Sequence, residues 1–307
     1  MPAADIAIER SYNGSEVYNL CIKAQKYQML DGDLLPLDLI QKQIDQESHI
    51  YLVAKQEKET LALLVYSTIS LAFRNILYFN FRSDLDEIIY KLILEMSMCA
   101  GKFKKSYFRF SYPITLSTET KKNLLDQNFN VLEEHKMSLD LNEYQAAPVT
   151  LPNGYEFREW QEKDRKSTLQ VIFDGLQTSI DSEVFYEFRS IEGINSWYHL
   201  EGKEYQPDLY INELSIQLCH NSTHIGACIV TERDKDLYLS YIALKKPYQG
   251  KKLGKKLLSH VLNIAKGSGH EKIALHVIKT NSRAYRLYQK LGYRIERKAW
   301  CIYKDFY

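Results

Sequence analysis

Hydrophobic and polar positions change their spacing several times along residues 150–307. Segments of alternating polarity that are rich in β-branched and aromatic residues predict strands, and apolar residues three and four positions apart predict helices. The predicted order is one strand, two helices, three strands, a helix, a strand, a helix and two strands, which is typical of a mixed α/β sheet covered by helices. Strands are predicted at 154–158, 209–219, 225–232, 237–244, 272–278, 293–297 and 300–306, and helices at 164–177, 182–200, 250–266 and 281–291.

The first half of the chain repeats this order more faintly. A repeat of about 150 residues indicates a duplicated domain, because solenoid repeats are much shorter. The segment 142–154 is rich in Ala, Pro, Asn and Gly and predicts a linker, so we expect domains at 1–146 and 147–307. In the first half, helices are predicted at 16–30, 37–46, 85–101 and 118–127, and strands at 50–55, 61–70, 76–81, 107–112 and, as a closing strand pair, 130–141.

Composition excludes several function classes. With 307 residues, 45% apolar positions and a formal charge of +1, the chain can bury two cores and has no global field that would attract nucleic acid or a membrane surface. The five cysteines form no CxxC pair, and no His, Cys, Asp or Glu cluster has metal-ligand spacing, so we expect free thiols and no metal. Without a signal-like N-terminus or a spanning apolar run, a cytoplasmic location is expected, while secretion as an effector stays open.

A glycine-containing basic turn follows the strand 237–244. It runs from Gln249 through Gly250 to Lys255 and opens the helix predicted there. The first N–H groups of a helix have no intrahelical partner, and glycine lets an anion approach the backbone, so the turn predicts a phosphate site. A solvated basic helix start is the alternative explanation of the same residues.

This turn and a second block resemble the GNAT superfamily of acetyl-CoA-dependent N-acetyltransferases. Gln249 and Gly254 match the ends of the family's pyrophosphate motif, and Lys252 stands where the motif has its central glycine. The second block has Asn at a helix start, Ala three residues later, Leu-Tyr after two turns, and then Gly with an aromatic residue. These residues are Asn281, Ala284, Leu287, Tyr288, Gly292 and Tyr293.

The resemblance implies roles for individual residues. Tyr288 would protonate the departing CoA thiolate, and Tyr285 would line the CoA channel or pack. Backbone N–H groups of Ile242 and Leu244 would be unpaired, because the family's corresponding strand splays from its neighbour, and they would bind the pantetheine amide and the acyl carbonyl. The implied cofactor-binding residues are Ile242, Ala243, Leu244, Gln249, Gly250, Lys251, Lys252, Leu253, Gly254, Lys255, Asn281, Tyr285 and Tyr288.

The general base is less well defined by the sequence. Many members of the family have a glutamate early in the strand before the pyrophosphate turn, and Tyr238 occupies that position here. Glu213, expected on an earlier strand, and His276, on the strand 272–278, are the candidates. For each of them a surface or packing role is the alternative.

The first half lacks the residues that this chemistry needs. When the halves are aligned, Leu124 takes the position of Tyr288 and Ser117 that of Asn281. The turn at 82–87 has no glycine and carries three carboxylates, which would repel a pyrophosphate. We therefore predict a degenerate copy that supports the second half, shapes an acceptor cleft or docks a protein partner.

Together these observations predict a fold of class α/β (α+β), with two tandem GNAT-like domains that each have a mixed, mostly antiparallel sheet flanked by helices. The predicted function is transfer of an acetyl group from acetyl-CoA to a primary amine of a small molecule or a protein by the C-terminal domain. The alternative is a catalytically inactive tandem GNAT scaffold, including a bacterial effector that acts on a host protein.

Overall fold

The chain divides into two compact units, Met1–Val131 with Trp300–Tyr307, and Leu132–Ala299. The computed structural model describes residues 6–26, 37–46, 48–56, 59–67, 76–79, 85–102, 107–112, 116–200, 209–210, 212–233 and 236–305.

The first unit contains a four-stranded antiparallel sheet in the order β1-β2-β3-β4. A separate antiparallel pair joins β5 to β13 from Trp300↔Tyr112 to Asp305↔Tyr107. The elements that lie in or enter this unit are β1 (Ala7–Ser11), α1 (Gly14–Lys26), α2 (Leu37–Asp45), β2 (His49–Gln56), β3 (Glu59–Ser67), β4 (Ile76–Phe79), α3 (Leu85–Lys102), β5 (Tyr107–Tyr112), α4 (Thr118–Asp126), β6 (Asn130–Asp140) and β13 (Arg294–Asp305).

Both faces of this sheet are covered. Tyr51 and Val53 of β2 pack with residues of α1 and α2, whereas Leu52 and Ala54 pack with residues of α3. Because neighbouring side chains of a strand point to opposite faces, a strand buried on both sides has a continuous apolar sequence. This explains the run from Ile50 to Ala54, all of which is buried.

The second unit is built on the strand order β6-β12-β11-β10-β9-β7, with β8 paired to β10. All these pairs are antiparallel except β11 with β12, which is parallel. The remaining elements are β7 (Tyr155–Glu159), α5 (Arg165–Leu176), α6 (Ile180–Val184), α7 (Ile191–Leu200), β8 (Leu209–Tyr210), β9 (Ile216–His220), β10 (Thr223–Arg233), β11 (Asp236–Leu244), α8 (Leu253–Gly267), β12 (Lys272–Ile278) and α9 (Ser282–Lys290).

Helices cover both faces of this sheet as well. One core contains Leu257 and Val261 of α8 with Tyr288 of α9, and the other contains Leu169 and Ile172 of α5. The face with α8 and α9 is called the α8 face below, and the opposite one the α5 face. The predicted fold class is confirmed, since the sheets are mixed, mostly antiparallel and flanked by helices.

The structure differs from the sequence prediction in several elements. The compact units divide earlier than the predicted 146/147 boundary, because β6 pairs with β12 from Lys272↔Asp140 to Ile278↔Glu134. The assignment of 1–146 and 147–307 as two GNAT copies stays a prediction. The predicted strand pair at 130–141 is one strand, and the two predicted strands at 293–297 and 300–306 are joined in β13.

Two further predicted elements are divided. The predicted helix at 182–200 is interrupted, since Phe185 and Ser190 have extended backbone conformations, and the predicted strand at 209–219 contains the 3-10 turn Asn212–Leu214. Parts of the predicted elements at 16–30, 61–70, 76–81, 209–219 and 300–306, and residues 82–84 of the turn at 82–87, lie outside the described residues.

Candidate functional site

The central feature of the site is the gap between the parallel strands β11 and β12. Their ladder consists of Leu237↔Ile273 and Tyr238↔Ala274, so the described residues beyond these pairs are not matched across the two strands. Close to this point along β11, the pairing with β10 shifts its register: Ile229 lies opposite Tyr241, and Val230 lies opposite Leu239. Ser240 is therefore the extra residue of a β-bulge, and bulges increase twist and end regular pairing.

Backbone groups of β11 point into this gap. Lys245 N–H donates to the carbonyl of Ile225 on the β10 side at 2.9 Å. Since peptide groups alternate in direction along a strand, the N–H groups of Ile242 and Leu244 point towards the β12 side. This arrangement fits the predicted splay of the strands.

The turn after β11 forms an open helix N-terminus. Gly250 and Lys252 have positive φ angles of 78° and 61°, and Lys252 is the N-cap residue of α8 without a side-chain cap bond. The first helical bond runs from Lys256 N–H to the Lys252 carbonyl, so the N–H groups of Leu253, Gly254 and Lys255 have no intrahelical acceptor. The side chains of Lys251, Lys252 and Lys255 are exposed. The turn thus presents N–H donors and positive charge together.

The conformation of Lys252 explains the family's preference at its position. A residue at φ 61° lies in the left-handed region, where an L side chain costs about 1 to 2 kcal/mol and glycine costs little. Lysine therefore keeps the same turn at some cost in stability. The helix N-terminus stays open despite the departure from the motif.

Gln249 acts as a bridge within the site. Its Nε2 donates to the carbonyls of Leu244 at 2.7 Å and Gly175 at 3.2 Å, and its Oε1 accepts from Arg283 Nη1 at 2.7 Å. The side chain predicted to bind the cofactor thus ties the end of β11 to α5 and α9.

Asn281 begins α9 and also holds an acidic side chain. Its Oδ1 accepts from the N–H of Ala284 at 3.3 Å, and its Nδ2 donates to Asp181 Oδ2 at 2.8 Å. Burial raises the pKa of Asp181 to about 6, the nearby Glu134 charge also raises it, and hydrogen bonds from Ser179 and Asn281 lower it. Asp181 was not among the sequence-predicted catalytic or cofactor-binding residues.

Tyr288 lies at the edge of the α8-face core. It is 6% exposed, and its ring centroid is 5.6 Å from that of Tyr293. Burial raises the pKa of Tyr288, and the charge of Asp181 acts in the same direction. The phenol therefore keeps its proton at neutral pH, as a proton donor must.

His276 lies on the opposite face of β12 from Leu275 and Val277. Its side chain is 39% exposed, and its Nδ1 is 3.4 Å from Oε1 of Glu134, whose side chain is 5% exposed. The ring of Tyr238 contacts the imidazole edge-on, with ring centroids 5.7 Å apart. An accessible imidazole is thus held between a carboxylate and a phenol.

Tyr285 takes part in a chain of polar contacts. Its hydroxyl is 2.9 Å from Nδ1 of His135, and Nε2 of the same ring is 2.7 Å from Glu133, which also contacts Lys279. Because a carboxylate only accepts, His135 carries its proton on Nε2 and accepts from Tyr285 at Nδ1. The hydroxyl of Tyr285 is thereby bound to β6.

Glu213 is not brought together with these residues. It lies in the 3-10 turn Asn212–Leu214 instead of on a strand, and its side chain is exposed. No hydrogen bond or ion pair joins it to another described residue. Its predicted role as a base has no contact here that supports it.

Sequence reasoning missed Asp181, Glu134 and His135. Glu134 is buried and Asp181 is partly buried, although acids are seldom buried, and only the tertiary structure shows this burial. The signal that was available is the polar run Glu133-Glu134-His135 inside a predicted strand.

Two absences hold for the described part of the chain. None of its helices has the length and apolar character needed to cross a membrane. No group of three or more His, Cys, Asp or Glu side chains in it is arranged to hold a metal ion.

Comparison with known proteins gives matches in sequence and in fold. Residues 181–293 match the model of the acetyltransferase (GNAT) family. A relative from Danio rerio, N-alpha-acetyltransferase 50, is 36% identical over 98 residues, which are 30% of this chain and 58% of the relative. The match therefore spans little more than half the length of that relative.

Two solved structures cover nearly the whole chain. A GCN5-related N-acetyltransferase from Sphaerobacter thermophilus aligns with a TM-score of 0.62 at 16% identity, over 98% of this chain and 95% of its own. A tandem GNAT protein from the clavulanic acid biosynthesis pathway aligns with a TM-score of 0.57 at 11% identity, over 98% of each chain. Residues 181–293 therefore resemble the acetyltransferase (GNAT) family, and the chain shares its fold with a GCN5-related N-acetyltransferase and a tandem GNAT protein.

Proposed function

We propose that this protein is an N-acetyltransferase that transfers the acetyl group of acetyl-CoA to a primary amine, and that residues 147–307 carry the reaction. One observation supports the proposal above the others. The β11-β12 ladder ends at Tyr238↔Ala274, and His276, beside Glu134, lies on β12 just beyond that pair. In this proposal His276 is the proton acceptor and Tyr288 of α9 the proton donor for a thioester in the gap.

The residues around the gap fit acetyl-CoA. The free N–H groups of Leu253, Gly254 and Lys255 suit a pyrophosphate, and a side-chain carbon built at Gly250 would meet nothing within 4 Å, so an anion has room to approach. The N–H groups of Ile242 and Leu244 suit the pantetheine amide and the acyl carbonyl. Bound there, acetyl-CoA supplies an activated acyl group as a thioester.

His276 accepts the proton of the attacking amine in this proposal. An ammonium has no lone pair, so it must lose a proton before it attacks a carbonyl. The imidazole of His276 is accessible, and Glu134 compensates the positive charge that it gains. Glu213, exposed and without such a partner, is the weaker candidate.

Tyr288 protonates the sulfur leaving group. The phenol is held in its protonated form by burial and by the Asp181 charge. The same burial raises the proton affinity of a thiolate formed beside it. The pKa values of the phenol and the thiol therefore stay similar, and proton transfer between them costs little free energy.

The acceptor class is proposed from the Danio rerio relative. Its name assigns it to acetylation of α-amines, so peptides with a free α-amine are the first acceptors to test, followed by small primary amines. A lysine side chain in a peptide with a blocked N-terminus separates α-amine from ε-amine acceptors.

The experiment measures acetyl-CoA binding by calorimetry and thiol release over this panel of amines. For Tyr288→Phe we expect kcat to fall by about 10² to 10⁴ fold, as for loss of a general acid, with the Kd for acetyl-CoA changed less than about threefold. Tyr293→Phe is the matched control, because that phenol is also buried and its hydroxyl has no hydrogen-bond partner among the described residues. We expect its activity to equal that of the wild type.

Three outcomes separate the alternatives. Turnover that Tyr288→Phe abolishes while binding persists supports the proposal. Equal loss in Tyr288→Phe and Tyr293→Phe would indicate a packing role for Tyr288. Absence of both binding and turnover in the wild type would leave a non-catalytic module with a GNAT fold.

A further inference from the structure

Strand β6 carries four titratable residues in a row at positions 133–136, and one of them, Glu134, contacts the proposed base. In the β6-β12 pairing, Glu134 lies opposite Ile278 and Lys136 lies opposite His276. Directly opposed residues of antiparallel strands share a face, so Glu134 and Lys136 share the α5 face with His276. Glu133 and His135 point to the other side.

Glu134 is the carboxylate next to the imidazole. The Nδ1 to Oε1 distance of 3.4 Å is longer than a formed hydrogen bond, and such contacts in active sites often shorten when substrate binds. The nearest cation in register, Lys136, pairs with Glu296 at 3.6 Å. The ring is also bordered by Tyr238, so its position is limited on two sides.

The identity of the contacting atom determines which nitrogen of His276 is basic. A carboxylate is an acceptor only, so its partner Nδ1 must be the nitrogen that carries the proton. In the neutral ring the lone pair is then on Nε2, the nitrogen farther from Glu134.

We propose that Glu134 is a positioning residue for the reaction: it fixes the Nδ1–H tautomer of His276, so that Nε2 takes the proton from the acceptor amine. The inference rests on the proposed role of His276 as base. The amine N–H bond breaks, the proton moves to Nε2, and the imidazolium charge is balanced by Glu134. Glu134 precedes residue 181, so the base depends on a strand outside the segment that matches the family model.

The first test reads the tautomer directly. In protein labelled with ¹⁵N-histidine, the ring nitrogen shifts of His276, assigned by the loss of signals in His276→Gln, report which nitrogen is protonated. We expect Nδ1–H in the wild type and in Glu134→Gln, whose amide oxygen still accepts. In Glu134→Leu the acceptor is gone, and we expect the Nε2–H form to become populated.

The second test is kinetic. Glu134→Leu is expected to lower kcat about 10- to 100-fold, by analogy with the loss when the hydrogen-bond partner of a metal-bound histidine is removed, with the KM for acetyl-CoA within about twofold. Glu134→Gln should keep most of the activity. In the His276→Ala background, Glu134→Leu should have no further effect, because Glu134 acts through that ring. Glu143→Gln, which removes an exposed ion-paired carboxylate, is the control and should match the wild type.

The outcomes distinguish this inference from the proposed function. An Nε2–H tautomer in the wild type, or losses of kcat that multiply in the double variant, would overturn the role of Glu134 while acetyl transfer stands. If no amine is acetylated, the proposed function fails. The tautomer measurement then still decides whether Glu134 fixes the Nδ1–H form of His276. Should Glu134→Leu fail to fold, the wild-type tautomer decides: Nδ1–H supports the inference and Nε2–H overturns it.

Discussion

Removal of the charge of Asp181 should stabilise the protein at neutral pH. Burial is the main reason why the pKa of this carboxyl is raised from 3.8 to about 6. An acid whose pKa is raised by folding is held more easily in its protonated form, so ionisation costs stability. Asp181→Asn keeps an oxygen that accepts from Asn281 Nδ2 and removes the charge.

The magnitude follows from the shift. About 2 pH units at 1.36 kcal/mol per unit give about 3 kcal/mol as the upper limit of the penalty. Below about pH 4 the carboxyl is protonated in the folded and the unfolded chain, and the penalty is absent. It grows as the pH rises from about 4 to 6 and is complete above pH 6.

The assay is urea-induced unfolding of the wild type and Asp181→Asn between pH 4 and 8. We expect the difference in free energy of unfolding to be small at pH 4 and to rise to between about 1 and 3 kcal/mol in favour of the variant at pH 7.5. Asp174→Asn, at a half-exposed position on α5, controls for the loss of one negative charge. Its free energy of unfolding should change with pH in the same way as that of the wild type. A difference that does not change with pH would refute the reasoning.

Three further changes test the local geometry. Lys252→Gly should raise the free energy of unfolding by up to about 1 kcal/mol in urea unfolding, because φ is 61° there, while Lys251→Gly, at a residue without positive φ, should lower it. His135→Leu should cost about 2 to 4 kcal/mol, since Tyr285 and Glu133 lose a buried partner, and a double variant with Tyr285→Phe should cost less than the sum of the single changes. Gly175→Ala would place its Cβ 2.9 Å from that of Ala243 and 3.1 Å from the backbone nitrogen of Leu244, which is proposed to bind acetyl-CoA. Calorimetry should therefore show weaker acetyl-CoA binding. Gly267→Ala, where nothing lies within 4 Å, should leave the binding unchanged.

Local chemistry made part of the site predictable from the sequence. Asn281 is a strong N-cap residue, and the turn at Gly250 precedes a helix with a strongly periodic apolar face, so both α8 and α9 were located closely. Tyr288 followed from the resemblance of the block 281–293 to the GNAT superfamily. Each of these inferences depends on residues within about ten positions of one another.

The residues that sequence reasoning missed depend on pairing between distant segments. Glu134 meets His276 only because β6 lies beside β12 in one register, and a shift of one residue would turn Glu134 to the other face. Asp181 lies on α6, a short helix that the sequence pattern merged in part with the following one. Periodicity shows which positions share a face of one element, but not which element lies beside it.

The bulge at Ser240 shows why the face on which each residue lies matters for the proposed chemistry. Strict alternation along β11 would place Tyr238, Ile242 and Leu244 on one face. In the structure Ile242 and Leu244 pack on the α8 face, and the extra residue puts Tyr238 on the α5 face with His276. Tyr288 lies on the α8 face, so the proposed acid and base stand on opposite sides of the sheet. We infer that a thioester lying in the gap between β11 and β12 would be reached by the amine from one face and by the proton donor from the other.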